Sequence, residues 1–323
     1  MVDWSGHAGQ PTNRRYRSMA ERQLRGISPS YERLCLGVAD DGEVLARLDT
    51  LPPPKRQPNL LLGAVRFLGG PVDSYTAFRA FLLDRWDALS ATMLDRRTQT
   101  NEPRRCTVLL LVLAALPQPL ALLEVGAAAG LCLYPDRYAY RYAGGPVLGD
   151  AALVFDCAVA GPAPLPTALP SVAWRAGLDL NPLDVADDED VRWLESLIWP
   201  EQTERFAILR KAVQIARADP APVRTGDLTR DLVAAAASVP ADAMLVVFHS
   251  AVVSYLDETE RARFRSEVAE LAAARPMVWV SNEGPGVIVD LPTPPGPVPF
   301  VLARDETPLA YADPHGASVD WFR

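Results

Sequence analysis

The chain has few of the residues from which metal sites and disulfide scaffolds are built. Its 323 residues include four cysteines and three histidines. The cysteines are Cys35, Cys106, Cys132 and Cys157, and no two of them have the C-x-x-C spacing of a zinc or redox site. We therefore expect reduced thiols and no bound metal. Reduced thiols are typical of a cytoplasmic protein, and residues 1–10 show no apolar stretch of a secretion signal.

Positive charge and long hydrophobic runs are also scarce. Lys and Arg number 32 against 40 Asp and Glu, for a net charge of −8, which argues against a broad nucleic-acid-binding surface. The most apolar run, Val108–Ala115, is too short to span a bilayer and is stopped by Pro117. A hydrophobic content of 49% indicates a globular protein. We expect it to act on a small molecule rather than on nucleic acid or membrane, with a homodimer as an open alternative.

The most informative stretch present is Glu124–Gly130, E-V-G-A-A-A-G, which follows the apolar residues Leu120–Leu123. Glycine permits a tight turn and a close approach of the backbone to a ligand. A helix is expected to begin near Leu131, with Pro135 keeping it short, and its first N–H groups would be free to face that ligand. The spacing E-x-G-x-x-x-G differs from the dinucleotide-binding G-x-G-x-x-G and favours S-adenosylmethionine over NAD.

Element patterns predict two parts. Residues 1–105 show apolar residues at three- and four-residue spacing, which indicates a helical N-terminal subdomain that could act as a lid. Over residues 106–323 apolar strands alternate with helices, among them the strand Met244–His249 and the helix Glu258–Ala274. This alternation predicts an α/β domain with a mostly parallel, Rossmann-like sheet that ends in an antiparallel hairpin. Ligands bind such sheets at the carboxyl ends of the strands.

Acidic residues follow three of the predicted strands. Asp179 is placed to accept hydrogen bonds from a ribose diol, and Asp227 from an adenine amino group. Glu124 either steadies the glycine turn or reaches the amino group of a methionine moiety. Each acid is also a candidate helix N-cap, and that alternative stays open.

Other side chains near the strand ends are candidates for catalysis or substrate binding. His249 is predicted to accept a proton from the attacking group, or else to be a structural histidine. Glu283 follows a strand and precedes Gly284-Pro285-Gly286, so it is the second candidate catalytic residue. Tyr255 and His315 are expected near the same cleft. Arg137 is predicted to bind a carboxylate or to pair with Asp136.

Several motifs together resemble a bacterial family known as domain of unknown function 2332. The stretch Glu124–Leu133 with Asp136-Arg137-Tyr138 is similar to its GASAGLNL…DRY signature. Thr98–Glu102 matches TQTNE, and Arg175–Val185 resembles R-x-G-I-D-L-x-P-L-D-V. This chain has Ala128 and Cys132 where that family usually has Ser and Asn, and the lost hydroxyl and amide favour a catalytically inactive homologue.

The family's strand order and glycine turn are similar to those of class I S-adenosylmethionine-dependent methyltransferases. That resemblance implies a methyltransferase of unknown small-molecule substrate. By that resemblance Gly126, Gly130, Asp179 and Asp227 would surround the cofactor. The full set of predicted cofactor-binding residues adds Glu124, Ala128, Leu180, Leu228 and His249. The substrate-binding residues would be Gln99, Asn101, Glu102, Arg137, Tyr255 and His315. Two alternatives stay open: an inactive binding protein with this fold, and an NAD-dependent oxidoreductase.

Overall fold

The computed structural model describes residues 10–289, residue 291 and residues 299–322. It divides into two compact units. The helical unit contains the described residues up to Thr100 together with Ala186–Leu209, and the sheet unit contains Asn101–Val185 and the residues from Arg210 onward. The sequence predicts one boundary near residue 105, whereas the structure also groups residues 186–209 with the helices.

The described residues form the following helices and strands. The helices are α1 Thr12–Met19, α2 Pro29–Asp40, α3 Gly42–Leu48, α4 Pro58–Phe67, α5 Tyr75–Asp84, α6 Trp86–Asp95, α7 Cys106–Leu113, α8 Asp188–Leu197, α9 Thr203–Ala218, α10 Leu232–Ala235 and α11 Glu258–Ala274. The strands are β1 Leu120–Val125, β2 Ala139–Tyr142, β3 Val147–Leu148, β4 Val154–Ala160, β5 Val172–Asp179, β6 Val223–Thr225, β7 Met244–Ser250, β8 Met277–Glu283, β9 Phe300–Arg304, β10 Thr307–Ala312 and β11 Ser318–Trp321.

Residues 186–209 belong to the helical unit because Trp193 is anchored there. Trp193 is fully buried, its indole N–H donates to the carbonyl oxygen of Arg97 over 3.0 Å, and its ring meets Phe67 edge-on. Helices α4 and α8 approach closely at Gly63, where an added Cβ would lie 2.9 Å from Leu197 Cδ2. These contacts join residues far apart in the sequence, so the local pattern of residues 186–209 did not reveal them.

The sheet unit is built on one mixed, mostly parallel sheet. Its strand order is β3-β2-β4-β11-β10-β9-β8-β7-β1-β5-β6. The segment from β8 through β7, β1 and β5 to β6 is parallel throughout, and β9 and β10 add to it in antiparallel fashion. Every residue of β1 is buried, as expected for a central parallel strand. The predicted α/β class is confirmed. The expected antiparallel hairpin at the end of the sheet has a third strand, because β10 pairs with both β9 and β11.

The core of the sheet unit lies on one face of β1 and β7. Leu123 and Val247 are fully buried there and belong to the same apolar cluster as Phe264 and Leu271 of α11. Helix α11 begins at a capping box: Asp257 accepts from the backbone of Glu260, and the Glu260 side chain accepts from the backbone of Asp257. Within the described residues, no helix is both long enough and apolar enough to cross a membrane.

Candidate functional site

The candidate site lies at the carboxyl edge of the parallel strands. β1, β5, β7 and β8 end at or just beyond Glu124, Asp179, Ser250 and Glu283, and Asp227 follows the end of β6. Since these strands are parallel, their ends meet at one edge of the sheet, where α/β proteins bind ligands. The sheet therefore brings together the acidic residues that the sequence predicted at its strand ends.

The backbone N–H groups of the glycine turn, Gly126–Gly130, all donate hydrogen bonds to acceptors within the protein. Gly126 and Ala127 donate to the carbonyl oxygen of Leu178, and Gly130 donates to that of Ala127. Ala128 donates to Asp179 Oδ2 over 2.7 Å, and Ala129 to Asn101 Oδ1 over 3.1 Å. The amides of this turn are therefore used within the protein, and the predicted role of the N–H groups that follow, from Leu131 on, stays a prediction.

The segment after the turn also differs from expectation. Leu131–Leu133 forms a 3-10 helix of three residues rather than an α-helix. A Cβ added to Gly126 would lie 2.4 Å from Val252 Cγ2, and one added to Gly177 would lie 2.6 Å from Ala127 Cβ. The glycines thus allow close packing of protein against protein at the strand ends. Arg175 binds the carboxylate of Asp136 through two hydrogen bonds, which fixes the segment after the turn to β5.

Asp179 acts as a clamp on the turn. Its Oδ2 accepts from Ala128 N–H and its Oδ1 accepts from Asn181 N–H over 2.7 Å. The next residue, Leu180, is 59% exposed. Asp179 therefore shapes the turn, while Leu180 offers an apolar surface beside it.

Asp227 lies beyond β6, and hydrogen bonds stabilise its ionised carboxylate. Burial raises its pKa, but hydrogen bonds from the backbone N–H and hydroxyl of Thr229 outweigh this and leave the pKa below its usual value. Leu228 is buried in the core of the sheet unit. Asp227 therefore caps the turn that follows β6, which is the alternative left open for it. Its remaining lone pairs can still accept a hydrogen bond from a ligand.

Glu124 is buried, and its surroundings disfavour the ionised form of its carboxyl group. Burial raises the pKa of Glu124 well above its usual value, nearby Cys132 adds to the rise, and Arg105 opposes it. Its Oε2 is buried without a hydrogen-bond partner. A buried polar atom left without a partner typically costs about 1–3 kcal/mol.

His249 and Glu283 are both buried and bind each other. His249 Nδ1 lies 2.7 Å from Glu283 Oε1, and His249 Nε2 accepts from the indole N–H of Trp279 over 3.0 Å. An indole nitrogen can only donate, so His249 carries its proton on Nδ1 and donates it to Glu283. In this arrangement both ring nitrogens of His249 are occupied, and His249 positions Glu283. Its predicted roles in proton transfer and cofactor binding stay predictions.

The carboxylate of Glu283 is fixed through one oxygen only. Glu283 Oε1 also accepts from the backbone N–H groups of Val252 and Val253, over 2.8 and 3.0 Å. Glu283 Oε2 is buried and has no partner. A carboxylate with three donors on one oxygen and none on the other is oriented, and its second oxygen is the atom left to bind or to accept a proton.

Sequence reasoning missed two residues of this site. Arg105 is 4% exposed, donates from Nε to the carbonyl oxygen of Pro314 and from Nη1 to that of Ser250, and leaves Nη2 buried without a partner. Trp279, whose indole N–H donates to His249 Nε2, is the other. No local sequence signal marks Arg105, because its burial depends on partners, Pro314 and Ser250, that are distant in the sequence.

The predicted substrate-binding residues Gln99, Asn101 and Glu102 are divided between the two units. Asn101 and Glu102 belong to the sheet unit: Asn101 bonds the glycine turn, and Glu102 caps the short 3-10 helix Pro103–Arg105. Gln99 belongs to the helical unit. Its predicted role therefore stays a prediction.

The remaining three predicted substrate-binding residues lie in loops of the sheet unit. Arg137 pairs with Asp136 over 3.2 Å and with Asp219 over 3.5 Å, which is the ion-pair alternative left open. Tyr255 is 56% exposed at the end of the turn that follows β7. His315 lies in the turn between β10 and β11, where its backbone N–H donates to Asp313.

Metal ligation finds no support in the described part of the chain. No group of three or more His, Cys, Asp or Glu side chains there is arranged to hold a metal ion. All four cysteines are buried free thiols.

The fold and the site define an α/β protein with a large, mostly parallel sheet and a buried polar cluster at its carboxyl edge. The chain belongs to the family described as "uncharacterized protein conserved in bacteria (DUF2332)", which it matches over residues 13–321. The family resemblance seen in its motifs is thus confirmed. No curated protein and no solved structure gives a significant match.

Proposed function

We propose that the sheet unit binds S-adenosylmethionine at its carboxyl edge and transfers the methyl group to a small molecule. The observation that carries this proposal is a carboxylate at the ends of three neighbouring parallel strands, β1, β5 and β6, with the exposed Leu180 directly after one of them. An adenosine group needs acceptors for its ribose and amino hydrogens and an apolar surface for its base, and this edge offers both.

Each of these residues has a distinct role in the proposal. Leu180 covers one face of the adenine, and ionised Asp227 accepts from the adenine amino group. Asp179 holds two backbone N–H groups of the turn, and in the proposal the ribose lies beside this carboxylate. The glycine turn contributes shape alone, since its amides are used within the protein.

The chemistry asks little of the protein beyond alignment. The sulfonium of bound S-adenosylmethionine supplies an electrophilic methyl group, so an attacking oxygen or nitrogen must be held in line and relieved of its proton. Glu283 is the residue we assign to that proton, because its Oε2 is unpartnered while Oε1 and His249 fix its orientation.

The proposal is tested by titrating S-adenosylmethionine into the protein calorimetrically. The wild type should bind, and Leu180→Asp should weaken binding at least about tenfold without loss of stability, because Leu180 is already exposed. Leu165→Asp is the matched control, since Leu165 is 47% exposed in another loop. Absence of wild-type binding at millimolar cofactor, or equal binding by both variants, contradicts the proposal.

A second candidate is a binding protein with this fold and no catalysis. It is favoured by the saturated amides of the glycine turn and by the presence of Ala128 and Cys132 where the family usually has Ser and Asn. The two candidates differ in turnover. Release of S-adenosylhomocysteine with a panel of amines and alcohols supports the enzyme, whereas tight cofactor binding without any release supports the binding protein.

A further inference from the structure

The guanidinium of Arg105 is buried at the carboxyl edge, and its hydrogen-bond partners in the described part of the chain are neutral. Its Nε donates to the carbonyl oxygen of Pro314 and its Nη1 to that of Ser250, each over 3.0 Å, while Nη2 is buried without a partner. Arg105 is only 4% exposed. Because a buried charge is normally paired with an opposite charge, an anion is the group that would complete this arrangement.

Asn282 is the second buried residue with an unused polar atom at this place. Asn282 on β8 and Ser250 on β7 are register partners of parallel strands, so their side chains lie on the same face of the sheet. Asn282 Nδ2 donates to Ser250 Oγ over 3.0 Å, and Asn282 Oδ1 is buried without a partner. Arg105 and Asn282 thus both bond atoms of Ser250, which brings the guanidinium and the amide close together.

Both groups are held in fixed positions. A guanidinium is planar, so the hydrogen bonds at Nε and Nη1 of Arg105 also fix the direction of its Nη2. The ring of Phe300, on the neighbouring strand β9, has its centre 5.9 Å from Arg105 Cζ. Because Ser250 Oγ can accept or donate, the Asn282 amide can present its oxygen or its nitrogen to a ligand and keep its bond to Ser250.

The backbone next to this pair is strained. Ala251, directly after Ser250, has a φ of +61°, a conformation that a residue with a Cβ rarely adopts. Its N–H donates to the carbonyl oxygen of Asn282 over 3.1 Å. Such strain is found preferentially at functional sites, and it is consistent with a binding site at the ends of β7 and β8.

Glu124 is a poor counter-ion for Arg105. Burial raises the pKa of Glu124 well above its usual value, nearby Cys132 adds to the rise, and the attraction of Arg105 does not reverse it. The surroundings therefore favour the neutral form of this carboxyl group. A bridging water would satisfy Arg105 Nη2 and Asn282 Oδ1 but would leave the charge of the guanidinium uncompensated.

We propose that Arg105 and Asn282 bind the carboxylate of a small molecule at the ends of β7 and β8. One carboxylate oxygen accepts from Arg105 Nη2 and the other from Asn282 Nδ2, with the Ser250 hydroxyl then donating to Asn282 Oδ1. A carboxylate matches this pair because it offers two oxygens to two donors and one negative charge to one guanidinium. The proposal concerns binding alone and does not depend on methyl transfer.

The need for a negative charge is tested on the unmodified protein. NMR titrations compare acetate, propanoate, benzoate and succinate, each with its own carboxamide and at the same ionic strength. At least one carboxylate should bind, and at least about tenfold more tightly than its carboxamide. A carboxamide that binds as tightly as its carboxylate would contradict the proposal, because the guanidinium charge would then contribute nothing.

Asn282→Asp tests the location, because it supplies an anion for Arg105 from within the chain. Carboxylate binding should weaken at least about tenfold, while the urea midpoint of unfolding stays the same or rises. Asn59→Asp in the helical unit makes the same change in charge and keeps the acceptor for the indole N–H of Trp199, so it should leave carboxylate affinity unchanged. A folded Asn282→Asp variant that binds carboxylates as the wild type does would contradict the proposal. If that variant is destabilised, the comparison of carboxylate with carboxamide decides.

The carboxylate has two possible sources, a separate small molecule and the cofactor of the proposed function. S-adenosylhomocysteine carries a carboxylate and 5′-methylthioadenosine does not, so titrating both distinguishes the sources. Binding of free carboxylates without either adenosine compound supports this site and contradicts the proposed function. Binding of S-adenosylhomocysteine that Asn282→Asp weakens, with methylthioadenosine unaffected, identifies the cofactor as a source. The site is overturned when no free carboxylate binds at roughly 0.1 M and Asn282→Asp leaves S-adenosylhomocysteine affinity unchanged.

Discussion

At the scale of single residues, the pair of His249 and Glu283 shows what local sequence reasoning cannot reach. Both were candidates because they follow strands, and the structure joins them. The indole of Trp279 sets the tautomer of His249, which in turn orients Glu283. A tryptophan in a strand predicts packing, and only the folded chain shows that its N–H points at an imidazole.

Trp279→Phe should therefore free His249 Nε2 while keeping most of the aromatic packing. We expect a loss of about 1–3 kcal/mol in the free energy of unfolding, because a buried acceptor loses its donor. Nitrogen NMR of the imidazole should show a changed Nε2 chemical shift, because Nε2 loses its donor while Nδ1 keeps its bond to Glu283. An unchanged imidazole spectrum in the folded variant would contradict the assigned hydrogen bond.

Gly126 gives a second prediction at this scale. Gly126→Ala adds a Cβ 2.4 Å from Val252 Cγ2 at a φ of +70°. Gly144 has the same φ, and no described atom lies within 4 Å of its added Cβ. Gly144→Ala should lose about 1–2 kcal/mol from backbone strain, and Gly126→Ala roughly 1–3 kcal/mol more from overpacking.

Urea unfolding of both glycine variants measures that difference. Adding Val252→Ala to Gly126→Ala should recover part of the extra loss. Equal losses in the free energy of unfolding at the two glycines would mean that Val252 moves aside without an energetic penalty.

At the scale of elements, patterns with a local cause were predicted well. The helix Glu258–Ala274 has the predicted bounds, because Asp257 and Glu260 form a capping box that fixes its start. The strand β7 was predicted to within one residue, since its apolar run is buried along most of its length. The 3-10 helix after the glycine turn was not foreseen as such, because the turn before it is held by Asp179 and Asn101, which are distant in the sequence.

Arg175 ties the segment after the glycine turn to β5. It forms two hydrogen bonds of 2.9 and 2.8 Å with Asp136 and lies over the ring of Tyr134. Arg175→Lys loses this planar geometry, and we expect the free energy of unfolding to fall by about 1–3 kcal/mol. Arg141→Lys, in an exposed pair with Asp156, should change it by no more than about 0.5 kcal/mol. Similar losses in both variants would count against the assigned tie.

At the scale of the whole molecule, the alternation of strand and helix patterns predicted the α/β class but not the grouping of residues 186–209 with the helical unit. That grouping depends on Trp193 and its partners in the helices before residue 100. The acidic tips of the strands were predicted together because parallel strands share one edge. Arg105, which lies at the same edge, was not, because it precedes an apolar helix outside any recognised motif.

Stability against pH is a property of the whole molecule to which Glu124 contributes with a definite sign. Its folded pKa lies above the unfolded value. The stabilising contribution is therefore complete below the unfolded pKa, near 4.3, and is lost as pH rises toward the folded pKa. Glu124→Gln removes this dependence. Its free energy of unfolding should gain on that of the wild type as pH rises, by up to about 1.4 kcal/mol per pH unit.

Urea titrations of the wild type and Glu124→Gln at several pH values between acid and neutral measure this gain. A difference between the two proteins that stays constant with pH would show that Glu124 ionises as easily in the folded state as in the unfolded chain.

The central claim is that the carboxyl edge of β6, β5, β1, β7 and β8 holds the adenosine group of S-adenosylmethionine. A crystal structure of the protein with S-adenosylhomocysteine tests it most directly. We predict electron density with the adenine base against Leu180 and the adenine amino group beside Asp227. Density for the ligand away from these residues, or none at saturating concentration, would contradict the account.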